Sequence, residues 1–189
     1  MLQPSKLAKR VRISYSAPIM LECIILGDSI AKGISMAYPE CKSYSVVGIS
    51  SSNWSKTFGH VDLKAATVVV SLGTNDKGLT LQEQLLQILS VRDKIKSSNI
   101  IWINPPCNDI FCNKEANYVV QSLSTMFSDT LIETVKLGKD GIHPTADGYK
   151  EMAALIKAKS KPQTVLPMWP SDRWGQTTLG PPTSLLPQN

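Results

Sequence analysis

Short apolar, β-branched runs alternate along this chain with longer stretches in which apolar residues recur every three or four positions. The runs Leu21 to Leu26, Ser43 to Val47, Thr67 to Leu72, Asn99 to Asn104 and Thr130 to Val135 read as strands. The stretches Ser29 to Ala37, Ser51 to Phe58, Leu81 to Lys96, Lys114 to Phe127 and Pro144 to Lys159 read as helices. The third is the clearest, with Leu81, Leu85, Ile88, Leu89 and Ile95 on one stripe and Gln, Lys and Asp elsewhere. Alternating β and α units imply a parallel sheet with helices on both faces, an α/β fold.

Two segments fall outside this pattern. Residues 1–19 form a basic extension, and residues 161–189 carry Pro162, Pro167, Pro170, Pro181, Pro182 and Pro187, which forbid regular structure. What remains, residues 20–160, is one domain, in keeping with a length of 189 residues. Met20 stands directly before the first strand and offers an alternative translation start. Trp169 and Trp174 are unusual for a solvated tail; they pack on the domain's own surface or dock on a protein partner.

Charge narrows the function classes. The net charge is +5, yet residues 20–160 hold fourteen Lys or Arg and fourteen Asp or Glu, so the excess lies in the tails. A neutral domain argues against a nucleic-acid-binding face, while an N-terminal arm touching phosphate or anionic lipid stands as the alternative to a solvated tail. No apolar run approaches the roughly 20 residues that span a bilayer, and the basic N-terminus lacks an apolar secretory core of about 7 to 15 residues. The expectation is a soluble protein without a classical export signal, cytoplasmic by default.

The four cysteines show no paired C-x-x-C knuckles. Cys23 sits in an apolar run as a small core residue. Cys107 and Cys112 share one loop where a disulfide is conceivable, but without an export signal free thiols are expected. With two histidines in the chain, nitrogen ligation of a metal is scarce.

In an open α/β sheet, ligands bind beyond the carboxyl ends of the strands. The residues found there are Gly27-Asp28-Ser29, then Gly48 in VVGISSSNW, then Gly73-Thr74-Asn75-Asp76, and finally Asp140-Gly141-Ile142-His143 before the last helix. Taken singly, each piece also fits a cap or a turn. A serine hydroxyl becomes a nucleophile only when a base within reach takes its proton, and an imidazole serves as base when a carboxylate holds its second nitrogen. His60 precedes the third strand and falls at the opposite edge of the sheet, which leaves His143 for that part. Asp28 and Asp76 read as structural, bonding loop amides, and Ser50, Ser51 and Ser52 as a polar loop near the site or as solvated surface.

These four pieces, in this order, resemble the SGNH hydrolase superfamily, whose GDSL-type members carry Gly-Asp-Ser near the N-terminus. The resemblance spans residues 21 to about 158. It implies a flavodoxin-like three-layer α/β/α sandwich on a five-stranded parallel sheet. It makes Ser29 the nucleophile, His143 the base, Asp140 its partner, and Gly48 and Asn75 the oxyanion donors together with the Ser29 amide. This chain has Gly-Asp-Ser-Ile in place of Gly-Asp-Ser-Leu, an exchange of one apolar residue for another.

The implied reaction is ester hydrolysis through an acyl-enzyme, with no metal or organic cofactor. Connections between the four pieces are short, which favours a small acyl group such as acetate on a carbohydrate or cell-envelope glycan over a long-chain lipid. Short single-domain members of this kind resemble those of bacteria and their viruses, which would make the protein virion-associated or released if phage-derived. The loop 105–113 is the candidate specificity wall, with Ile110 and Phe111 as substrate-contacting residues. The rival reading is a non-catalytic module that binds a glycan or protein on the same fold.

Overall fold

The computed structural model describes residues 21–160. The two terminal segments, with Met20, Trp169 and Trp174, lie outside the described residues. In chain order the elements are β1 (Leu21–Gly27), α1 (Ser29–Ala37), β2 (Lys42–Ser45), α2 (Ser51–Phe58), β3 (Leu63–Ser71), α3 (Leu81–Arg92), β4 (Ile95–Lys96), β5 (Asn99–Ile103), α4 (Lys114–Met126), β6 (Thr130–Ile132) and α5 (Ala146–Ser160). Five parallel strands follow the order β2-β1-β3-β5-β6, and β4 adds a short sixth beside β3. This is the doubly wound, flavodoxin-like arrangement.

Side chains on a strand alternate between faces, so an unbroken apolar strand must be covered on both. In β1, Ile24 and Leu26 join Val68, Val70 and Trp102 on one face, packed under Trp54, Ile88, Val119 and Leu123 of α2, α3 and α4. Cys23 and Ile25 join Val69, Ile101 and Ile103 on the other, packed under Ile30 and Ile34 of α1 and Met152 and Ile156 of α5. The result is the expected three-layer sandwich. Gly33 lets α1 and α5 approach, because a Cβ there would run into the Tyr149 ring.

Several boundaries differ from the sequence reading. The helix expected over Leu81 to Lys96 ends at Arg92; Ile95 and Lys96 pair in parallel with Leu63 and Lys64, because β3 begins at Leu63 rather than at Thr67. β2 ends at Ser45, so Val46 and Val47 project from the strand end, and β6 stops at Ile132. α5 begins at Ala146 and not at Pro144, which instead bridges to Leu137.

The expectation of free thiols is corrected. Cys23 pairs with Cys41 and Cys107 with Cys112. Ile24 lies beside Lys42 in the sheet, so the residue before each is brought to a Cα separation of 4.8 Å. Cys107 and Cys112 face each other across a narrow antiparallel bridge that closes a short loop, with Cα atoms 4.0 Å apart. Among the described residues no helix is long and apolar enough to cross a membrane.

Candidate active site

At the end of β1 the chain turns sharply into α1. Gly27 has φ +136°, and a Cβ there would collide with the Ser71 carbonyl, so only glycine lets β1 and β3 come together here. Asp28 caps α1: its Oδ1 accepts from the Ile30 amide and from the Ser71 hydroxyl, each at 3.0 Å. The Asp28 side chain is buried, and Oδ2 makes no hydrogen bond. Burial pushes this carboxyl up to about 6, with the hydroxyls of Thr74 and Ser71 and the Ile30 amide acting the other way. Ser29 is thereby fixed as the first residue of α1, where a backbone N–H has no partner within the helix.

The opposing turn is built by hydrogen bonds rather than by burial. Gly138 N–H donates to the His143 carbonyl at 2.7 Å, and the Leu137–Pro144 bridge closes the loop. Gly141, at φ +67°, makes the bend. Asp140 Oδ1 accepts from the amides of Ile142 and His143, each at 3.0 Å, an Asx turn that pins the carboxylate next to the ring. Its Oδ2 lies 2.7 Å from His143 Nδ1, and His143 Nε2 lies 2.9 Å from Ser29 Oγ. The bond to His143, then the two amides, hold the Asp140 carboxyl down to about 2. An ionised carboxylate only accepts, so Nδ1–H is the donor to Asp140, which leaves Nε2 facing the Ser29 hydroxyl. Both side chains of this pair are partly exposed, 42% for His143 and 49% for Asp140.

A cleft of about 350 Å³ opens at this point, lined by Ser29, His143 and Ile142, by Val47 and Gly48, by Thr74, Asn75 and Lys77, and by Phe111. Gly48 has φ +75° and nothing within 4 Å of where a Cβ would stand. The Asn75 amide donates to the Ile49 carbonyl at 3.1 Å, which uses one of its two N–H groups and ties it beside Gly48. Below them Asp76 is buried and accepts from both the backbone N–H (2.8 Å) and the hydroxyl (2.5 Å) of Ser51. Ser51 is thus a buried pin between two loops, not the solvated residue that was one reading of the Ser50 to Ser52 stretch. Asn113 locks the Gly73 turn from behind, donating to its carbonyl at 2.9 Å.

Of the sequence-predicted residues, the structure brings Ser29, His143, Gly48, Asn75 and Phe111 to one cleft, with Asp140 bonded to His143. Ile110 does not line it. Ile110 is 69% exposed and stands against Gly141, whereas Phe111 is 8% exposed and forms the wall. His60 precedes β3, and the nine residues Leu63–Ser71 separate it from the cleft. Sequence reasoning missed Lys77 and Asn108. Lys77 directly follows the Gly-Thr-Asn-Asp turn and holds its ammonium 4.4 Å from the centre of the Phe111 ring. Asn108 accepts from the amides of Ile110 (2.9 Å) and Phe111 (3.1 Å), and donates to the Gly141 carbonyl at 2.7 Å. Among the described residues no three His, Cys, Asp or Glu side chains group as a metal site.

Neither a protein-family model nor a curated protein sequence matches this chain. Solved structures do match it. A member of the lipolytic protein G-D-S-L family from Veillonella parvula aligns with a TM-score of 0.56 and 15% identity over 72% of this chain and 96% of its own. A mutant of an acetyl-xylooligosaccharide esterase from Geobacillus stearothermophilus aligns with a TM-score of 0.50 and 15% identity, over 75% and 94%. The C-terminal catalytic domain of a peptidoglycan O-acetyltransferase from Streptococcus pneumoniae, bearing a methylsulfonyl adduct, aligns with a TM-score of 0.50 and 17% identity, over 72% and 90%. The strand order, the layers and these likenesses agree: this chain has the doubly wound α/β fold of these solved structures, a G-D-S-L family member among them.

Proposed function

We propose that the protein is a serine ester hydrolase acting on small acyl esters, foremost acetyl esters carried by a carbohydrate or cell-envelope glycan. The observation that carries this reading is the relay from Ser29 Oγ to His143 Nε2 (2.9 Å) and from His143 Nδ1 to Asp140 (2.7 Å), set at a cleft that also holds Gly48 and Asn75. As Ser29 Oγ adds to the ester carbonyl, its proton passes to His143 Nε2. Asp140, ionised, holds the ring in the right tautomer and stabilises the imidazolium. The carbonyl oxygen becomes an oxyanion, received by the backbone N–H groups of Ser29 and Gly48 and by the Asn75 NH2, each such donor contributing about 3 kcal/mol. His143 returns the proton to the departing alcohol. Water deprotonated by His143 then releases the acid and frees Ser29.

A cleft of about 350 Å³ suits an acetyl group with the sugar that bears it better than a long acyl chain. The names of two neighbours of the same fold, an acetyl-xylooligosaccharide esterase and a peptidoglycan O-acetyltransferase, lend support to acetylated glycans. The test is hydrolysis of p-nitrophenyl acetate by the protein and by Ser29→Ala, with a fluorophosphonate label located by peptide mass spectrometry. Turnover lost in the variant, with label on Ser29, is expected. No turnover and no label on a folded protein would replace this reading with a binding module on the same fold.

A further inference from the structure

Of the nine residues lining the cleft, Lys77 alone carries a fixed charge. It makes no ion pair with any described carboxylate. Asp76, the residue before it, is buried on Ser51, Asp140 is held by two amides and His143, and Asp109, in the same loop as Phe111, forms no ion pair with it. Nor is Lys77 one of several cationic groups in the cleft, since no other Lys or Arg lines it. Lys77 is itself exposed, but the surface it rests on is fixed. The Phe111 ring beneath it is nearly buried, and it belongs to the loop closed by Cys107–Cys112 and braced by Asn108. An ammonium resting on an aromatic face keeps N–H groups free on its far side. A positive charge in a cleft that no described carboxylate pairs attracts an anionic ligand.

We propose that Lys77 selects esters whose sugar or acyl partner bears an anionic group, a carboxylate or a phosphate. This rests on the ester-hydrolase reading for its chemistry, but the recognition is separable from it. A carboxylate or phosphate oxygen would accept from Lys77 Nζ while the ester carbonyl sits at Ser29. A lysine binds either anion as a point charge, so the anion's identity is for the experiment to distinguish.

The experiment has two parts. In the first, kcat/KM is measured on the acetyl esters of 4-hydroxybenzoate, which is anionic, and of methyl 4-hydroxybenzoate, which is neutral. The ratio of the two cancels changes common to both. It is expected to fall about three- to tenfold in Lys77→Ala and further in Lys77→Glu, mainly through KM, with the fall shrinking as salt is raised. An unchanged ratio in both variants overturns the proposal. Ser29→Ala is run on the same esters: turnover that survives it sinks the hydrolase reading without touching the Lys77 ratio. In the second part, binding of galactose, galacturonate and galactose 6-phosphate to Ser29→Ala is measured by calorimetry, without any turnover. Tighter binding of one or both anionic sugars, lost when Lys77→Glu is added, supports the proposal and names the anion. Equal binding of all three, or none, overturns it.

Discussion

Asp28 stands one residue before Ser29 and Asp140 three residues before His143, yet the two carboxylates are held in opposite ways. Asp28 is buried between β1, β3 and the start of α1, and burial pushes its carboxyl up to about 6. Asp140 is half exposed, and hydrogen bonds hold its carboxyl down to about 2. The side of the cleft that presents the serine is therefore shaped by packing, and the side that presents the histidine by a local turn. Substitutions in the packing that supports Ser29, as distinct from Ser29 itself, act mainly through stability. Those on the second side act mainly through the relay.

The largest effect expected is on activity. Ser29→Ala and His143→Ala should each lower kcat by roughly 10⁴-fold or more, and the double variant should lose no more than the worse single one, because the groups act as a unit. Purified variants assayed against an acetyl ester would show this, and additive losses would break the relay. Asp140→Asn comes next, at roughly 10²- to 10⁴-fold in kcat, with a fall in melting temperature smaller than that of Gly27→Ala. A large drop in melting temperature there would erase the contrast between the two sides.

Glycine substitutions should divide by what a Cβ would meet. Gly27→Ala puts a Cβ into the Ser71 carbonyl at a positive φ, and is expected to cost about 3 kcal/mol or more in denaturant unfolding. Gly48→Ala meets open space and bears only the left-handed penalty of about 1 kcal/mol, while its cost to turnover is larger than its cost to folding.

The pH dependence of stability sharpens the comparison. Asp28 binds its proton more tightly folded than unfolded, so its contribution is complete below pH 3.8 and is lost as the pH rises through about 6. Two units correspond to about 3 kcal/mol, so Asp28→Asn should flatten the fall in stability over that window. Asp140 has the reverse sign: its contribution is present above pH 3.8 and disappears as the pH falls toward about 2. Thermal melts across pH 2 to 7 read both. Last, Cys107→Ser with Cys112→Ser should cost about 2 kcal/mol, less than the roughly 3 kcal/mol for the longer Cys23–Cys41 loop, and intact-mass alkylation without reductant should find no free thiol among the four.

The strand ends were readable because glycine and small polar residues interrupt apolar runs there, and the helices because their apolar stripes repeat. Neighbour relations between strands carry no such local mark. Cys23 and Cys41 become partners only once β2 is known to lie beside β1 with Ile24 opposite Lys42. β4 was invisible because Ile95 continues the stripe of α3 and finds its strand partner, Leu63, more than thirty positions earlier. Lys77 was in plain view, one residue past the Gly-Thr-Asn-Asp turn, but its significance depends on Phe111 arriving from another loop. Ser51 reads from the sequence as a loop near the site or as surface, and only Asp76, reached through the fold, shows why it is buried.

The bond from Asn108 to the Gly141 carbonyl couples the shape of the cleft wall to the aim of the histidine. A chain diversifying toward bulkier substrates could not lengthen or re-tilt the 107–112 loop freely, since the change would travel through Asn108 into the turn that carries His143. The opposite rim is tied at its backbone, by Asn75 to Ile49 and by Asp76 to Ser51, but the Val47 side chain projects from the end of β2 and is 71% exposed. Selection for bulkier ligands is therefore expected to act first at Val47, whose side chain can be exchanged while the ties of Ile49 and Ser51 stay in place.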